Sequence, residues 1–298
     1  MIFIKLSRTA CSVCLFTTAV IWGLAFVAQR VGADYMGTFT FNGVRFLLGA
    51  VSLIPVILIL ERGQSADNKL TLMTGIGGGV ILFTASSLQQ FGVVLTGSAG
   101  KAGFLTGLYT VLVPVLGIFL RRKTRILTWA GAVSAAIGLY LLSVPDMGSI
   151  NTGDIALVIG AFFWAGHIIF IDWFANRIKA ISFSMVQFFT CGLLSLICAF
   201  LFETVRLSDI SAGIIPILYG GLLSVGVAYT LQCVGQKGVE PARAAIIFSL
   251  EALFAAVGGA VILGETMSLR GYAGCAFIFA GIIASQVTVK RKESLTSL

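Results

Sequence analysis

Long apolar runs separated by short polar breaks recur along nearly the whole chain. Runs of about eighteen residues or more with few charges predict helices able to cross roughly 30 Å of hydrocarbon at 1.5 Å per residue. The pattern places them at about Cys11–Gln29, Thr38–Leu60, Leu70–Thr96, Ala99–Leu120 and Leu127–Val144. After a polar stretch through Asn151 they resume at about Asp154–Phe174, Phe183–Phe202, Ile214–Val234, Pro241–Leu263 and Gly271–Val289. The period-two alternation of a membrane β-barrel is missing. The expected fold is all-α integral membrane, with ten transmembrane helices.

The two sets of five resemble each other at a spacing of 142 residues. That offset pairs Trp22 with Trp164, Phe46 with Phe188, Gly78-Gly79 with Gly220-Gly221, Gln90 with Gln232, Lys101 with Arg243 and Leu108 with Leu250. Tyr109 falls opposite Glu251, and one extra residue aligns Gly131 with Gly274 and Gly138 with Gly281. The halves are expected at residues 9–146 and 151–290. An odd number of spans per half enters the membrane in opposite senses, so the expectation is two inverted five-helix repeats, an architecture of secondary transporters. A cleaved signal peptide is the competing reading of the first run. It would remove Trp22 and break its pairing with Trp164, so a first span is preferred.

Composition agrees: 58% of the 298 residues are hydrophobic, 11% are charged, and the mean hydropathy is +1.01. Soluble domains carry about 25% charge, so no sizeable water-soluble domain is expected. The net charge of +8 suggests nucleic acid only until its distribution is considered. With the N-terminus inside, the inner loops collect Lys5, Arg8, Arg62, Lys69, the Arg121–Arg125 cluster, Arg177, Lys179, Lys237, Arg243 and the Lys290–Lys292 tail. The other side receives Arg30, Lys101, Arg206 and Arg270. By the positive-inside rule, both termini are cytoplasmic. The six cysteines mostly lie within apolar spans, and the lone CxxC of Cys11 and Cys14 has no second ligand pair.

A few polar groups stand out at membrane depth. Trp22, Tyr109, Trp164 and Glu251 all fall near the midplane, and Arg45 about 10 Å from one surface. A carboxylate at that depth costs roughly 2.5–3.5 kcal/mol on insertion scales, and so needs a proton, a partner or a wet cavity. Glu251 either exchanges a proton during transport or pairs with Arg45 as a lock or gate, and the sequence leaves both open. Midplane tryptophans, away from the interfacial belts, suit a cavity wall as well as plain packing. Tyr229, the single histidine His167 and Gln187 join Trp22, Arg45, Tyr109, Trp164 and Glu251 as candidate substrate contacts. Gln90 and Gln232, near opposite ends of their spans, are gate candidates or ordinary helix–helix contacts. Lys101 and Arg243 near opposite mouths either attract anions or snorkel. Gly100-Lys101 lacks the rest of a P-loop, no HExxH occurs, and one histidine builds neither a conventional triad nor a His-rich metal site. No catalytic residue, cofactor or metal is expected.

These residues resemble the drug/metabolite transporter superfamily, and within it the EamA-type bacterial proteins. The resemblance rests on Trp22-Gly23 with Phe26, Arg45-Phe46, the run Ser98–Tyr109 through Val113-Pro114, and Ser249–Ala252 through Leu263-Gly264-Glu265 with the Gly274/Gly281 spacing. It covers essentially the whole chain as two EamA repeats. It implies a carrier with a central cavity between helices 1–4 and 6–9, peripheral helices 5 and 10 that often face a homodimer partner, and export of amino acids, other metabolites or toxic compounds. Where the family commonly reads Glu-Pro, this chain has Glu251-Ala252, so the kink that a proline gives is expected to be lost there.

The expectation is an inner-membrane secondary transporter of an amino-acid-sized or amphipathic metabolite, working outward by alternating access, with lipid around it and proton coupling open. A non-transporting lipid-binding or scaffold protein is the alternative. A membrane-embedded enzyme is a weaker one, because no nucleophile or metal set can be assembled.

Overall fold

A computed structural model describes residues 7–61, 67–97, 99–122, 124–143, 151–263 and 268–286. Lys5, Arg62, Ser98, Lys123, Pro145-Asp146, Gly264-Glu265 and the Lys290–Lys292 tail lie outside the described residues. Among the described residues the chain is helical, with no strand. The helices are α1 (Arg8–Gly32), α2 (Thr38–Leu60), α3 (Asn68–Thr96), α4 (Ala99–Gly107, resumed at Tyr109–Phe119) and α5 (Ile126–Ser143). They continue as α6 (Thr152–Phe174), α7 (Ala180–Phe202), a short turn Leu207–Ala212, α8 (Ile214–Leu218, Tyr219–Tyr229, Thr230–Gly235), α9 (Pro241–Phe248, resumed at Leu250–Leu263) and α10 (Leu269–Gln286). Eight of them, α1–α4 and α6–α9, are long and apolar enough to cross a membrane, and α5 and α10 are shorter apolar helices.

Polar residues at the helix starts follow from the unpaired N–H groups of a first turn. Ser7 Oγ accepts from Ala10 N at 3.1 Å, and Asp67 Oδ1 from Leu70 N at 2.9 Å. Asn151 and Asp154 form a reciprocal capping box at the start of α6. Gly97 ends α3 in the left-handed region at φ 64°.

α2 and α7, which pack along each other, are fastened at both ends by one device used twice. The Glu203 carboxylate, at the C-terminal end of α7, accepts from Phe39 N, Thr40 N and Thr40 Oγ1 at 2.7–2.8 Å. Glu61, at the C-terminal end of α2, accepts from Ile181 N, Ser182 N and Ser182 Oγ at 2.5–2.9 Å. Each helix thus caps the first turn of the other with a carboxylate, where the helix dipole favours negative charge. The two clasps lie 142 positions apart residue for residue.

The interior helices are irregular where the candidate site residues sit. α4 breaks at Leu108 and α9 at Ser249, just before Tyr109 and Glu251. Tight i→i+3 hydrogen bonds mark both breaks, Val111 N to Leu108 O at 3.0 Å and Ala252 N to Ser249 O at 3.3 Å. α9 is therefore interrupted beside Glu251 even though Ala252 stands where the family commonly has proline. Ser249 Oγ turns back to Ile246 O at 2.6 Å, a local bond that competes with a regular helix without any proline. In α8, Tyr219–Tyr229 is wound as a π-helix. Its carbonyls take hydrogen bonds from α1: Thr18 Oγ1 to Ala228 O at 3.0 Å and Trp22 Nε1 to Ser224 O at 3.2 Å.

α1 and α9 approach closely beside the site. A Cβ on Gly23 would stand 2.4 Å from Phe254 Cβ and 2.6 Å from Glu251 O. α5 and α10 meet along a glycine seam, in which a Cβ on Gly131 or on Gly281 would lie 2.6 Å from the other's carbonyl oxygen.

Removing either clasp leaves first-turn N–H groups without their acceptor. Glu61→Ala and Glu203→Ala are each expected to cost about 1–3 kcal/mol, read as a lower unfolding midpoint in detergent. An unchanged midpoint for both would dismiss the clasps as stabilising features.

Candidate functional site

Tyr109 and Glu251, the pair predicted to be counterparts, touch. The Tyr109 hydroxyl donates to Glu251 Oε1 at 2.7 Å, with both side chains buried. The broken helices bring them there, and Thr110 Oγ1 donating to Ala245 O at 3.2 Å ties α4 to α9 beside them. Trp22 and Trp164 also meet, with ring centroids 6.5 Å apart.

Arg45 is 2% exposed in α2. Its Nε donates to Asn42 Oδ1 at 3.0 Å, and Asn42 Nδ2 donates in turn to Ser86 O at 3.2 Å. The guanidinium carbon lies 5.2 Å from the Phe41 ring centroid and 4.9 Å from that of Phe46, within cation–π range. Among the described residues no carboxylate comes within ion-pair distance of Arg45. Of the two readings left open for Glu251, the Arg45 pairing is therefore not formed here. Glu251 is held by a neutral phenol and Arg45 by a neutral amide, on the wall of the same cavity.

Tyr229 is the hub of that wall. Its ring lies 4.6 Å from Trp22, 6.1 Å from Trp164 and from Phe46, and 5.8 Å from Phe188 between centroids. His167 abuts Trp164 and Tyr229 edge-on, and its Nε2 pairs with Gln187 Oε1 at 2.9 Å. His167 and Gln187 thus form a layer behind the aromatic wall and do not line the cavity. Three buried polar atoms of lining residues have no hydrogen-bond partner among the described residues, Trp164 Nε1, Thr106 Oγ1 and Gln232 Oε1, and His167 Nδ1 behind the wall has none either. The first three are places where a bound polar group would be rewarded.

The gate candidates separate. Gln232 lines the cavity, whereas Gln90 does not and donates to Gln29 O at 3.2 Å. Gln89 Nε2 donates to Gln29 Oε1 at 3.0 Å, so the end of the cavity toward the close of α1 is shut by a three-glutamine cluster. Lys101, expected at an open mouth, is instead in a buried ion pair with Asp154 at 2.8 Å, the two side chains 6% and 9% exposed. A lysine near a helix start can reach an acid placed at the next helix start, and Asp154 is fixed there by its capping box.

Residues that sequence reading missed are Gln29, Gln89, Thr106 and Ser224. The glutamines were visible as polar residues inside apolar runs. Ser224 enters from a π-wound stretch, where its carbonyl accepts from Trp22 Nε1, and the sequence has no pattern for that winding. The cavity measures about 30 Å³, room for one or two waters and far below the roughly 300–1,000 Å³ of ligand pockets. The helices close around the site and leave no room for a larger ligand.

An all-helical membrane fold that sets a buried arginine and a buried glutamate on one central cavity suits a carrier, and comparison with known proteins agrees. Residues 9–144 and 151–285 each match the model of the EamA-like transporter family. The chain belongs to that family. An uncharacterized transporter of Archaeoglobus fulgidus is 27% identical over 92% of this chain and 85% of its own length. One of Bacillus subtilis is 23% identical over 94% and 97%. A probable amino-acid metabolite efflux pump of Salmonella typhimurium is 27% identical over 88% and 90%. A solved structure, titled only as a crystal structure of a protein, superposes with a TM-score of 0.79 at 20% identity, over 94% of this chain and 97% of its own, which supports the fold alone. This EamA-family protein is thus a multi-pass membrane transporter and not an enzyme.

Tyr109→Phe removes the one hydrogen bond found for the Glu251 carboxylate. It is expected to cost about 1–3 kcal/mol, measured by thermal unfolding in detergent, with Glu251→Gln costing less because an amide oxygen still accepts from Tyr109. The reverse order would show that the bond does not hold the two breaks together.

Proposed function

We propose that this protein is a secondary active transporter that moves an amino-acid-sized, amphipathic metabolite outward across the inner membrane by alternating access. The observation that carries the reading is the cavity itself. A buried guanidinium and a buried carboxylic group, not paired with each other, share an aromatic chamber at the breaks of α4 and α9. Arg45 suits a substrate carboxylate, Glu251 an amine or a coupling proton, and Trp22, Trp164 and Tyr229 an apolar side chain. The printed name of the Salmonella relative, an amino-acid metabolite efflux pump, favours the same class and direction.

The finer architecture belongs to this proposal. Ten spanning helices in two inverted repeats, 9–146 and 151–290, are supported by the twice-used clasp and by the Tyr109–Glu251 and Trp22–Trp164 contacts. In that frame the loop charges favour cytoplasmic termini. A homodimer through α5 and α10 would use their outward faces, such as Val133, Ile137 and Ile283, because the glycine seam is filled within the chain.

The test is a thermal-shift screen of purified protein against a metabolite library, followed by transport in proteoliposomes. A ligand at a hundred times its Kd stabilises the native state by about 2.7 kcal/mol. Hits are expected with wild type and not with folded Glu251→Gln or Arg45→Ala. Each variant is expected to slow transport about tenfold to a hundredfold, the factor for losing a charged hydrogen bond of about 1.5–3 kcal/mol. Undiminished transport by the double variant would move the site elsewhere, and absence of transport with every hit would favour a scaffold role.

A further inference from the structure

On the face where α1 begins, a second cavity of about 510 Å³ opens between α1, α9 and α10. Arg8, Arg125 and Arg243 stand around it, from the start of α1, the residue before α5 and the first turn of α9. Arg243 is the informative one. Its side chain is 11% exposed, and its Nε and one Nη nitrogen are buried with no hydrogen-bond partner. Glu240 approaches Nε only to 3.9 Å and is itself 58% exposed.

The 142-residue relation shows how weakly this charge is answered within the chain, by the distant and exposed Glu240 alone among the described residues. The counterpart of Arg243 is Lys101, which is neutralised by Asp154 at 2.8 Å. The position matching Asp154 in the other half is Ser12, which lines this cavity and carries no charge. α9 also starts here with Pro241 at its first turn and no side-chain cap, so its amide dipoles add to the positive field. Below the arginines the wall is apolar, running along Val13 and Phe16 of α1, Leu250 of α9 and Ile282 of α10. Phe16 packs edge-on against Phe254 at 6.0 Å and floors the groove.

We propose that this cavity holds an anionic phospholipid, with its phosphate on the three arginines and an acyl chain along the apolar wall. Basic pockets between membrane helices bind anionic head groups in this way. A free phosphate would use the arginines and gain nothing from the wall, which is why the lipid is the occupant. The site is separate from the central cavity, and its occupancy does not depend on the identity of the transported compound.

The test is native mass spectrometry of the detergent-released full chain, with phosphatidylglycerol, phosphatidylcholine or inorganic phosphate added. Phosphatidylglycerol is expected to be retained and phosphatidylcholine not. Arg125→Gln should weaken retention about fivefold and Arg8→Gln with Arg125→Gln about twenty-fivefold, from about 1 kcal/mol per basic residue. Arg243→Gln should abolish it. Should that variant not fold, the two exposed-end substitutions carry the test alone. Equal retention of both lipids, phosphatidylglycerol binding unchanged in the double variant, or displacement by inorganic phosphate at equal concentration would each overturn the proposal.

Discussion

A polar group that leaves water in this fold must find its partner inside the chain, because the surroundings offer none. The structure meets that constraint by exchange between the two halves. Glu61 and Glu203 cap each other's partner helices, and the Tyr109 hydroxyl satisfies Glu251 from the equivalent position 142 residues away. Trp22 borrows a carbonyl from α8. Each exchange joins a residue early in the chain to one late in it, so neither half is complete alone. The central cavity lies where these exchanges converge.

The exchange is unequal in several places, and the proposed site draws on them. Arg45 corresponds by position to Gln187, yet Gln187 faces His167 and Cys233 while Arg45 faces the cavity. α3 is a regular helix through Gly78-Gly79, whereas its counterpart α8 is wound as a π-helix through Gly220-Gly221 and releases carbonyls toward α1. Lys101 has Asp154, and Arg243 has Ser12. A strictly symmetric molecule would be bistable but unselective. These departures supply a positive group at the cavity, carbonyls bonded by α1 and an arginine answered by a distant, exposed acid.

Much of this was legible in the sequence, and for identifiable reasons. The spans could be read because a bilayer demands long apolar helices, and their observed ends lie within about three residues of the expected ones. Tyr109, Glu251, Trp22 and Trp164 could be read because a constant offset turned composition into geometry. The local backbone was not legible. Proline was taken as the source of a kink beside Glu251, but Ser249 hydroxyl chemistry breaks α9 without one. Nothing in the composition of Tyr219–Tyr229 marks π winding. Lys101 looked like a mouth charge because its partner lies across a helix pair, 53 residues on, and pairwise contact of that kind has no period to follow.

The same inequality bears on how the proposed alternating access would proceed from this closed form. Toward the end of α1, closure uses the Gln29–Gln89–Gln90 cluster and, beyond it, the buried Lys101–Asp154 ion pair. Toward the start of α1 it uses neutral bonds, Thr18 to Ala228 O and Gln236 Nε2 to Ile168 O at 2.8 Å, and a partly exposed Arg122–Asp172 ion pair between the ends of α4 and α6. A neutral hydrogen bond contributes about 0.5–1.5 kcal/mol net and a partly exposed ion pair about 0–1 kcal/mol, while the buried Lys101–Asp154 pair separates only once water reaches both ions. Parting the helices near the start of α1 therefore breaks weaker links. It would also move α9, whose break carries Glu251, away from α4 where the Tyr109 and Thr110 hydrogen bonds join them. Under the proposed orientation that end, where positive loop charge collects, is the cytoplasmic side from which an exporter would load.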